Sequence, residues 1–587
     1  MSDKDYLHKL RHSAEHILTQ AMFNLYGEDK IIMAMGPATD EGFYFDFEIK
    51  GDLSLSESNF KDIEREMRKI TNRKLPIVRK EIDVNEAKKL FTGNPFKQEW
   101  LDEIEKRGES VSIYWTGEDF VDLCAGPHVD NTDEVKAFKL LSIAGAYWHG
   151  DEKNKMLTRI YGTAFESEEQ LKDYLWKLEE AKKRDHRKLG KELDLFTFSP
   201  LIGSGLPLYT PKGASIRVRL NKYVEEVQSK LDFTQVWTPQ IAKADLFKAS
   251  GHYDKYKNDM FQVISHHSDE EFYLKPMNCP QHTQIYAAKP RSYRDLPIRM
   301  TDFAMLYRDE KPGELNGLAR VRSFSQDDCH IFCREDQVDF EVDQMLTMTK
   351  QIMSTFGLKY RYRLSTRDPN HPEKFLGDPN MWDKVEAWAV EIMKRNHIEY
   401  FDGPGEAAFY APKMDLMATD ALGREWQLST VQIDYVMPER FNLTYASADG
   451  SEQRPVMLHR AIIGSPERFM MILIEHFAGA FPLWLAPLQI TVIPISQDQS
   501  VAAKLVHEKL TEAGLRSELW DQAESMQKRI RNAEKQKVPY MLIIGAREAE
   551  SDSVSVRARG QQDLGSMRVE DFINRAVNLN ADKSLTL

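Results

Sequence analysis

Residues 307–333 read YRDEKPGELNGLARVRSFSQDDCHIFC, and this stretch bears most on the fold and chemistry of the chain. Arg308 and Arg320 stand on either side of a Pro-Gly turn. Guanidinium groups offer fixed, bidentate donors that stay charged, so this arrangement predicts a clamp for phosphate oxygens. The other side chains singled out here are Glu310, Arg322, Phe324, Gln326, Asp328 and His330. A hairpin with these groups is predicted to hold a nucleotide by its two ends.

The composition is that of a large protein with several domains. A chain of 587 residues with 42% hydrophobic content has room for roughly three or four packed domains. It contains no long apolar run, and the charged start MSDKDYLHKLRHSAEH lacks the apolar stretch of a signal peptide. Its cysteines, which are too few for a disulfide framework, are Cys124, Cys279, Cys329 and Cys333. We expect reduced thiols or metal ligands and a cytoplasmic location.

The charge is uneven along the chain. The net charge of −13 argues against a generally basic nucleic-acid binder, but residues 486–587 carry equal numbers of acidic and basic side chains. A nucleic-acid contact is therefore more plausible near the C-terminus or on a local basic strip. Such a strip comprises Lys182, Lys183, Arg184, Arg187 and Lys188. A solvated helix face explains the same strip equally well.

Periodicity divides the chain into four segments. Residues 1–165 combine an amphipathic helical start with alternating stretches such as GFYFDFEI, which predicts an α+β domain. Residues 166–190 are predicted to form one capped linker helix, from Ser167 to Gly190. Residues 191–485 are rich in turns and strand-like runs, with a helix near 213–231. Residues 486–587 alternate strand and helix, which predicts an α/β domain with a largely parallel sheet.

The first cluster of soft ligands lies near the N-terminus. His12 and His16 are four residues apart, which places both imidazoles on one face of a helix. Cys124 and His128 have the same spacing in DLCAGPHV. An isolated HxxxH pattern is weak, but a CxxxH in the same segment makes coincidence much less probable. These four residues predict either a zinc site or a proton-transfer set.

A second, dispersed set comprises Cys279 in MNCPQH, His330 in DDCHIF and His459 in MLHRAIIGS. Spacing alone does not select these residues, because His282, Cys329 and Cys333 are nearby competitors. On a strand, Cys329 points away from the face that His330 occupies, so the two cannot easily serve one site.

Several motifs together resemble a known family. YRDE…RVRSF and GSPERF, with Arg468, resemble motifs 2 and 3 of class II aminoacyl-tRNA synthetases, and VWTPQI with Pro239 resembles the dimer-forming motif 1. MNCPQH, SQDDCHIF, AFYAPKMD and HRAIIGSPERF resemble the threonyl-tRNA synthetases in particular. HSAEH, GPATDEGFYFDF, DLCAGPHV and IAGAYWHGDEKNKMLTRIYGTAF resemble the editing domain of that family. The resemblance extends from about His12 to Val569.

This resemblance implies a fold and a reaction. The fold would be an α+β editing domain, a class II catalytic domain with an antiparallel sheet and flanking helices, and a C-terminal α/β anticodon-binding domain. The reaction would join threonine to its tRNA through an adenylate made from ATP. By resemblance, Arg308 would hold the α-phosphate, Arg468 the γ-phosphate and Glu310 the adenine amino group, with Phe324 stacked on the ring and Mg²⁺ bridging the phosphates. The alternative is that these arginines form only surface ion pairs.

The resemblance also implies one zinc ion per subunit, held by Cys279, His330 and His459. Threonine would chelate the metal through its amino and hydroxyl groups, with Asp328 accepting the hydroxyl hydrogen bond, so valine would be rejected. Serine lacks only a methyl group and would pass, which requires a second, hydrolytic site. That site would comprise His12, His16, Asp122, Cys124 and His128. The tetrad could bind zinc, as in alanyl-tRNA synthetases, but the threonyl family favours a metal-free site.

Other positions are implied by matching to family motifs. His252 would be a base in the transfer step, unless it is merely a surface histidine in a polar loop. Glu548 and Arg557 would read anticodon bases, with Arg547 and Arg559 as competitors. A homodimer would form through the motif 1 region. The remaining residues implied to line the substrate pocket are Arg320, Gln326, Tyr410, Lys413, Gln427, Gln432 and Ser465.

Two departures from the family pattern stand out. The sequence starts at the editing domain, without the small ubiquitin-like domain usual in bacterial members, and neither active site is expected to suffer. Gln281 replaces the usual glycine of MNCPGH and is expected to reshape the pocket wall slightly.

Two rival functions remain: an RNA-binding regulator without the chemistry, and a ligase that does not edit. The intact motif residues speak against both.

Overall fold

The computed structural model describes residues 3–521 and 523–587, so the first two residues of the predicted editing domain lie outside it. The chain divides into two compact units, Met1–Glu179 and Glu180–Leu587. Among the described residues, no helix combines the length and apolar character needed to cross a bilayer.

The first unit is an α+β fold. Its antiparallel sheets consist, in spatial order, of Ile31–Met33, Phe43–Ile49, Met156–Phe165 and Ala137–Tyr147, and of Ile77–Ile82, Val111–Thr116 and Phe120–Leu123. Its helices are Asp3–Tyr26, Phe60–Asn72, Val84–Leu90 and Pro95–Arg107.

The predicted apolar face of the first helix packs in the core of this unit. Leu10, Ala14, Ile17 and Leu18 are fully buried, since their spacing places them on one side of the helix. His12 and His16 lie on the other side of this helix, away from its apolar face. Both rings reach Cys124 at the end of a strand, so the helix positions the first cluster of soft ligands.

The predicted single linker helix over 166–190 is wrong. Ser167 Oγ does accept a hydrogen bond from Gln170 N at 3.2 Å, as expected for an N-cap. However, the helix Glu168–Arg184 ends before Asp185, whose φ/ψ of −48°/118° is non-helical. The carboxylate of Asp185 accepts from Arg187 N at 2.8 Å and caps a second helix, His186–Glu192.

The predicted basic strip lies across this break. Arg184 Nη1 donates to the carbonyls of Glu475 and His476 at 3.4 and 3.1 Å, and Arg187 pairs with Asp185. Lys183 pairs with Glu180 at 2.9 Å. These internal partners favour a structural role for the strip over a nucleic-acid contact.

The second unit is built on an eight-stranded sheet. Its spatial order is Thr234–Gln235, Ile298–Tyr307, Ser323–Cys333, Val456–Ala461, Glu425–Asp434, Lys413–Thr419, Lys359–Thr366 and Tyr400–Pro404. All pairs are antiparallel except the two at the edges. Smaller sheets pair Ile241–Lys243 and Gln262–Val263 with Phe272–Leu274, Tyr445–Ala446 with Glu452–Gln453, and Phe196–Thr197 with Leu208–Tyr209.

Helices surround the large sheet, and the predicted helix near 213–231 is observed as Pro211–Ser229. The others are Ala244–Ser250, His252–Tyr256, Cys279–Ala287, Val338–Phe356, Pro379–Arg395, Val436–Arg440 and Pro466–His476. Val338–Phe356 and Pro466–His476 contribute their apolar faces to the main core. Because side chains alternate along a strand, the other face of the sheet is left for polar groups.

The C-terminal domain is an α/β fold with a mixed sheet. Its strand order is Ser517–Leu519, Ile490–Pro494, Tyr540–Ile544, Ser553–Ala558 and Gln562–Arg568, and its helices are Ser500–Glu512, Met526–Lys535, Ala546–Glu550 and Val569–Ala581. The first three strands are parallel, but the last two pairs are antiparallel. The expected largely parallel sheet is therefore only half right, because strands joined by the short turn at 559–561 must run antiparallel.

Candidate active sites

The dispersed soft ligands meet on the polar face of the large sheet. His330 and His459 are direct partners on neighbouring antiparallel strands. Cys279 begins the helix Cys279–Ala287 and reaches the same point. All three side chains are buried, and their ligand atoms lie within 4.8 Å of one another. One sulfur and two imidazole nitrogens that converge in this way form a donor set suited to zinc.

Further contacts fix the two imidazole rings. His459 Nε2 donates a hydrogen bond to Asp434 Oδ2, 2.8 Å away. The other ring nitrogen, Nδ1, therefore carries the lone pair, and it faces His330 Nε2 at 3.0 Å. His282 Nδ1 lies 2.7 Å from His330 Nδ1 and braces its far side. Burial lowers the pKa of His330 well below its ordinary value and raises the pKa of the Cys279 thiol. A metal ion that bound here would therefore have to displace the thiol proton.

Cys329 and Cys333, the competing cysteines, point elsewhere. The sulfur of Cys329 lies against the Arg460 guanidinium, on the opposite face of the sheet from His330. Cys333 belongs to the apolar core. The expectation that His330 and Cys329 occupy different faces is confirmed.

Polar groups implied to bind an amino acid surround the three ligands. Asp328 Oδ1 lies 3.8 Å from His330 Nε2, and burial together with Asp302 raises the pKa of Asp328 to about 8. Gln432 lies opposite His459 in the sheet, and its buried Oε1 has no hydrogen-bond partner in the described part of the chain. The Tyr410 ring packs on the His459 ring at 4.9 Å. The pocket therefore offers both acceptors and donors beside the ligand set.

His252 is buried, so its interpretation as a surface histidine is wrong. Its Nδ1 lies 2.7 Å from Ser250 Oγ, and its Nε2 lies 3.7 Å from Cys279 Sγ. Burial lowers the pKa of His252 to about 3, which keeps the ring neutral at neutral pH.

Gln281 lies in the same helix as Cys279 but turns away from the ligands. Its Nε2 donates to Pro239 O at 3.0 Å and so ties this helix to the motif 1 segment. The departure from the family glycine therefore adds a contact in the pocket wall.

The arginines predicted to bind phosphate cluster at the open end of the hairpin. The Arg308 guanidinium lies 5.1 Å over the Phe324 ring, and Arg468 Nε donates to Ala319 O at 3.2 Å. Arg320 pairs with Glu310 at 2.7 Å. The pKa of Arg468 is lowered, first by burial and then by repulsion from Arg308 and Arg320. Cations that repel one another in this way mark a site for an anion.

Of these three arginines, Arg320 is the one that forms ion pairs at the surface, with Glu310 and Glu314. Arg308 and Arg468 have no ion pair among the residues that the structure describes, and the pKa of each is lowered chiefly by burial. Burying an unpaired guanidinium is costly, so its persistence here supports a ligand-binding role.

A further polar network, which sequence reasoning missed in part, lies along the neighbouring strands. Asp415 is fully buried and accepts from Gln427 Nε2 at 2.8 Å. Lys413 and Arg363 pair with Asp415 at 3.3 and 3.1 Å. Ser465 is the N-cap of Pro466–His476 and donates to Glu467 Oε2 at 2.9 Å, so its contacts are structural. The other polar residues at the site that the sequence did not nominate are Lys275, Asp302 and Asp434.

The N-terminal soft ligands also meet, within the first unit. Cys124 Sγ lies 3.2 Å from both His12 Nε2 and His128 Nε2. The His16 ring lies 4.2 Å from the His128 ring, and its Nε2 is 3.9 Å from Asp122 Oδ2. The predicted convergence of all five residues is therefore observed.

This cluster adjoins a cavity of about 790 Å³. The buried charged residues of its wall that were not predicted include Lys97, whose Nζ lies 2.5 Å from Asp122 Oδ1, and Glu15, which is 1% exposed. Burial lowers the pKa of His12 to about 4 and that of His128 to about 2. The histidines are therefore neutral at neutral pH and can accept protons or orient water.

These lowered values predict that acid destabilises the first unit. The ordinary histidine pKa of 6.5 is that of the unfolded chain, which below this pH binds protons that folded His12 does not. The free energy of unfolding should fall as the pH drops, by about 3 kcal/mol from His12 alone between pH 7.5 and 4. Hydrogen exchange in the helix Asp3–Tyr26, measured across this range, checks the expectation. His12→Asn should flatten the pH dependence, whereas the exposed His149→Asn should not; equal slopes would contradict it.

The C-terminal residues implied to read an anticodon are less clearly arranged. Glu548 accepts from Gly545 N at 3.0 Å and caps its own helix, while Arg557 is half-buried on Ser553–Ala558. Arg559 donates to Phe481 O and Lys537 O at 2.9 and 3.0 Å, so its role is structural. Arg547 is exposed.

Comparison with known proteins agrees with this arrangement. Residues 261–477 match the tRNA synthetase class II core domain (G, H, P, S and T), residues 489–579 the anticodon binding domain, and residues 111–161 the threonyl and alanyl tRNA synthetase second additional domain. Threonine--tRNA ligase of Rubrobacter xylanophilus is 48% identical over 97% of this chain and 88% of that protein. The corresponding protein of Gloeobacter violaceus is 47% identical over 97% of this chain and 92% of that protein.

Solved structures give the same result. The RNA binding domain of threonyl-tRNA synthetase from Cryptosporidium parvum is 37% identical and superposes with a TM-score of 0.64, covering 67% of this chain and 98% of that one. A putative threonyl-tRNA synthetase from Aeropyrum pernix is 28% identical with a TM-score of 0.60, covering 68% of this chain and 96% of that one. With an editing-type domain, a class II core and an anticodon-binding domain in one chain, this protein belongs to the threonine--tRNA ligase family of class II aminoacyl-tRNA synthetases.

Proposed function

We propose that the chain activates threonine with ATP, transfers it to threonine tRNA, and hydrolyses seryl-tRNA at a separate site. One observation carries this proposal. The strand Ser323–Cys333 bears Asp328 and His330 beside Cys279 and His459, while the turn that precedes it bears Arg308. A single hairpin thus carries candidate groups for both the amino acid and the nucleotide.

At the nucleotide end, the proposed roles follow from charge. Arg308 would bind the α-phosphate and Arg468 the γ-phosphate, with Mg²⁺ accompanying ATP. Glu310 would accept the adenine amino group, and Phe324 would offer its face to the base once Arg308 engages phosphate. Glu310 now pairs with Arg320, so ATP binding would require this exposed pair to rearrange. Exposed ion pairs are weak enough for that exchange.

At the amino-acid end, Cys279, His330 and His459 fit zinc in number, type and spacing. When bound, zinc would supply Lewis-acid positions for the amino and hydroxyl groups of threonine. Asp328 would accept the hydroxyl hydrogen bond, and Gln432, through its unpartnered Oε1, would accept a hydrogen bond from the amino group. Lys413, Gln427, Gln326 and Tyr410 would complete the pocket.

This mode of recognition would explain why valine is rejected and why serine is not. Valine would leave buried polar groups unpaired and be rejected by a factor on the order of 10⁴, whereas serine differs by one methyl group, worth about 1–3 kcal/mol. In the transfer step His252, held neutral by burial, is the proposed base.

For serine removal we propose water-mediated hydrolysis by His12, His16, Asp122, Cys124 and His128 without a metal ion. The Lys97 cation beside Asp122 supports the metal-free form, because a like charge near the tetrad opposes cation binding. Burial also raises the pKa of Cys124, so its sulfur is a thiol that can donate a hydrogen bond.

Replacing Cys124 by alanine should slow seryl-tRNA hydrolysis by about 10- to 100-fold while leaving threonine activation unchanged, because the partners of the thiol, His12, His128 and Gly126 N, all belong to the first unit. Deacylation of purified seryl-tRNA by the full-length protein provides the measurement. The matched control is Cys333→Ser in the apolar core, which should hydrolyse seryl-tRNA normally. An unchanged serine error rate in Cys124→Ala would defeat the assignment.

The remaining proposals concern partners and location. Glu548 and Arg557 are proposed anticodon contacts. A homodimer through the motif 1 segment is supported by Trp237, which is 88% exposed. Domain limits of 1–165, 166–190, 191–485 and 486–587 remain our proposal, with two helices in the linker. All four cysteines are free thiols, which supports a cytoplasmic location.

The test of the first step is amino-acid-dependent ATP–pyrophosphate exchange. Threonine and, more weakly, serine should support exchange, whereas valine should not. A protein that binds tRNA but shows no exchange with threonine would instead be a regulator that keeps the fold without the chemistry.

A further inference from the structure

His186 lies at the start of the helix His186–Glu192 and is 4% exposed. Its Nδ1 donates to Glu475 Oε1 at 2.7 Å, and its Nε2 accepts from Leu318 N at 3.1 Å. One neutral tautomer, with the proton on Nδ1, satisfies both contacts. No proposed step uses this histidine.

The contact at Leu318 fixes the turn of the motif 2 loop. Asn316 N donates to Arg320 O at 3.1 Å, and Ala319 N donates to Asn316 O at 2.8 Å, so the backbone folds back on itself here. Leu318 N points out of this turn to His186, while the neighbouring Ala319 O accepts from Arg468 Nε. The same turn therefore contacts both His186 and the proposed γ-phosphate arginine.

The contact at Glu475 connects His186 to the helix that carries Arg468. Glu475 and Arg468 lie in one helix, Pro466–His476, so His186 holds the C-terminal end of the helix whose N-terminal end carries Arg468. Glu475 also pairs with Arg424. The contacts Glu475–His186, His186–Leu318 and Ala319–Arg468 therefore connect the motif 2 turn to both ends of the helix that carries Arg468.

The imidazole of His186 packs closely against the backbone of the motif 2 loop at Gly317. Gly317 has φ +50°, and a Cβ at this position would lie 2.1 Å from His186 Nε2. Glycine at 317 is therefore what lets the imidazole approach the backbone of the loop.

We propose that His186 is a positioning residue for ATP: by bonding Leu318 N–H and Glu475 together, it sets the motif 2 turn against the helix of Arg468. The inference rests on the proposed ATP-dependent function. It concerns the nucleotide only, because His186 contacts neither the soft ligands nor the Asp328 side of the pocket.

Two substitutions separate the contacts of His186. His186→Asn keeps a donor near Nδ1 for Glu475 but loses the acceptor for Leu318 N, leaving a buried N–H unpaired. His186→Gln places an amide oxygen near the Nε2 position and keeps that acceptor, while the backbone N–H of residue 186, which donates to Glu475 Oε1 at 3.2 Å, keeps the link to Glu475 in both variants. The KM for ATP in threonine-dependent exchange should rise roughly tenfold in His186→Asn and stay within about threefold in His186→Gln, with the KM for threonine little changed in both. Gly317→Ala, which displaces the ring, should resemble His186→Asn.

A second readout needs no catalysis. Trypsin should cut after the exposed Arg320 faster in His186→Asn than in His186→Gln, because the loop is released only in the former. The control is His476→Asn, a half-buried histidine of the same helix whose Nδ1 has no hydrogen-bond partner among the described residues. It should match the wild type in cleavage and KM.

Equal effects of Asn and Gln, a parallel rise in the KM for threonine, or unaltered cleavage in His186→Asn would overturn the proposal. Lack of exchange in the wild type would instead count against the proposed function, and the cleavage rates would still decide the role of His186.

Discussion

Replacing Cys279 by serine should abolish zinc binding by the second unit and lower threonine-dependent pyrophosphate exchange by a factor on the order of 10³ or more. Within the part of the chain that the structure describes, three candidate ligands converge at this point, so the loss of the sulfur would leave two imidazoles. The buried serine hydroxyl, unlike a thiol, is a poor zinc ligand. Zinc content by atomic spectroscopy and exchange rates on the same preparation provide the measurement.

Cys333→Ser is the matched control, since Cys333 lies in the same strand as His330 but in the apolar core. It should keep both zinc and exchange. Wild-type zinc content in Cys279→Ser would refute the ligand assignment. Such a result would direct attention to the four-residue cluster of the first unit, His12, His16, Cys124 and His128, whose ligand atoms are also close enough to share a metal ion.

Replacing Arg308 by alanine should lower exchange about 10³-fold, because the proposed transition state places its charge on the phosphate that Arg308 holds. Arg308 has no competing ion pair in the described residues, so its charge is available to the ligand. The loss should appear chiefly in kcat/KM for ATP, and Arg308→Lys should recover only part of it, since lysine lacks the bidentate fork.

Arg361→Ala is the control for Arg308. Arg361 lies in the same sheet but pairs with Glu425 at 2.6 Å on the exposed side. Exposed pairs contribute little, so exchange should stay within about twofold of wild type. Equal losses in the two variants would mean that Arg308 supports the fold rather than the phosphate.

The alternation along Ser323–Cys333 was the most useful sequence signal. It correctly separates His330 from Cys329, because side chains on a strand alternate between faces. It does not reveal which strands are neighbours, however. That His459 lies opposite His330, and that Cys279 reaches them from a helix, depends on sheet order and helix packing, so only the resemblance selects these three residues together.

The helical spacing near the N-terminus was also informative. It places His12 and His16 on one face, and the structure brings Cys124 and His128 to them. Lys97 was not foreseen, because nothing in its local sequence distinguishes it from a solvated lysine. Its burial depends on Asp122, which lies far along the chain.

The two fold-level errors share a local cause. The single linker helix predicted across Asp185 overlooks that aspartate is a strong N-cap and can start a new helix. At the C-terminus, the strand–helix alternation suggested parallel strands, but the turn around Gly560 is too short for a crossover. Arg363 and Asp415 were missed because their partnership joins separate strands.

The most direct test of the whole account is the charging of threonine tRNA by the full-length, zinc-loaded protein with ATP and Mg²⁺. Threonyl-tRNA should accumulate, and seryl-tRNA should accumulate only when Cys124 is replaced by alanine. No threonyl-tRNA formation by the wild-type protein would contradict the account.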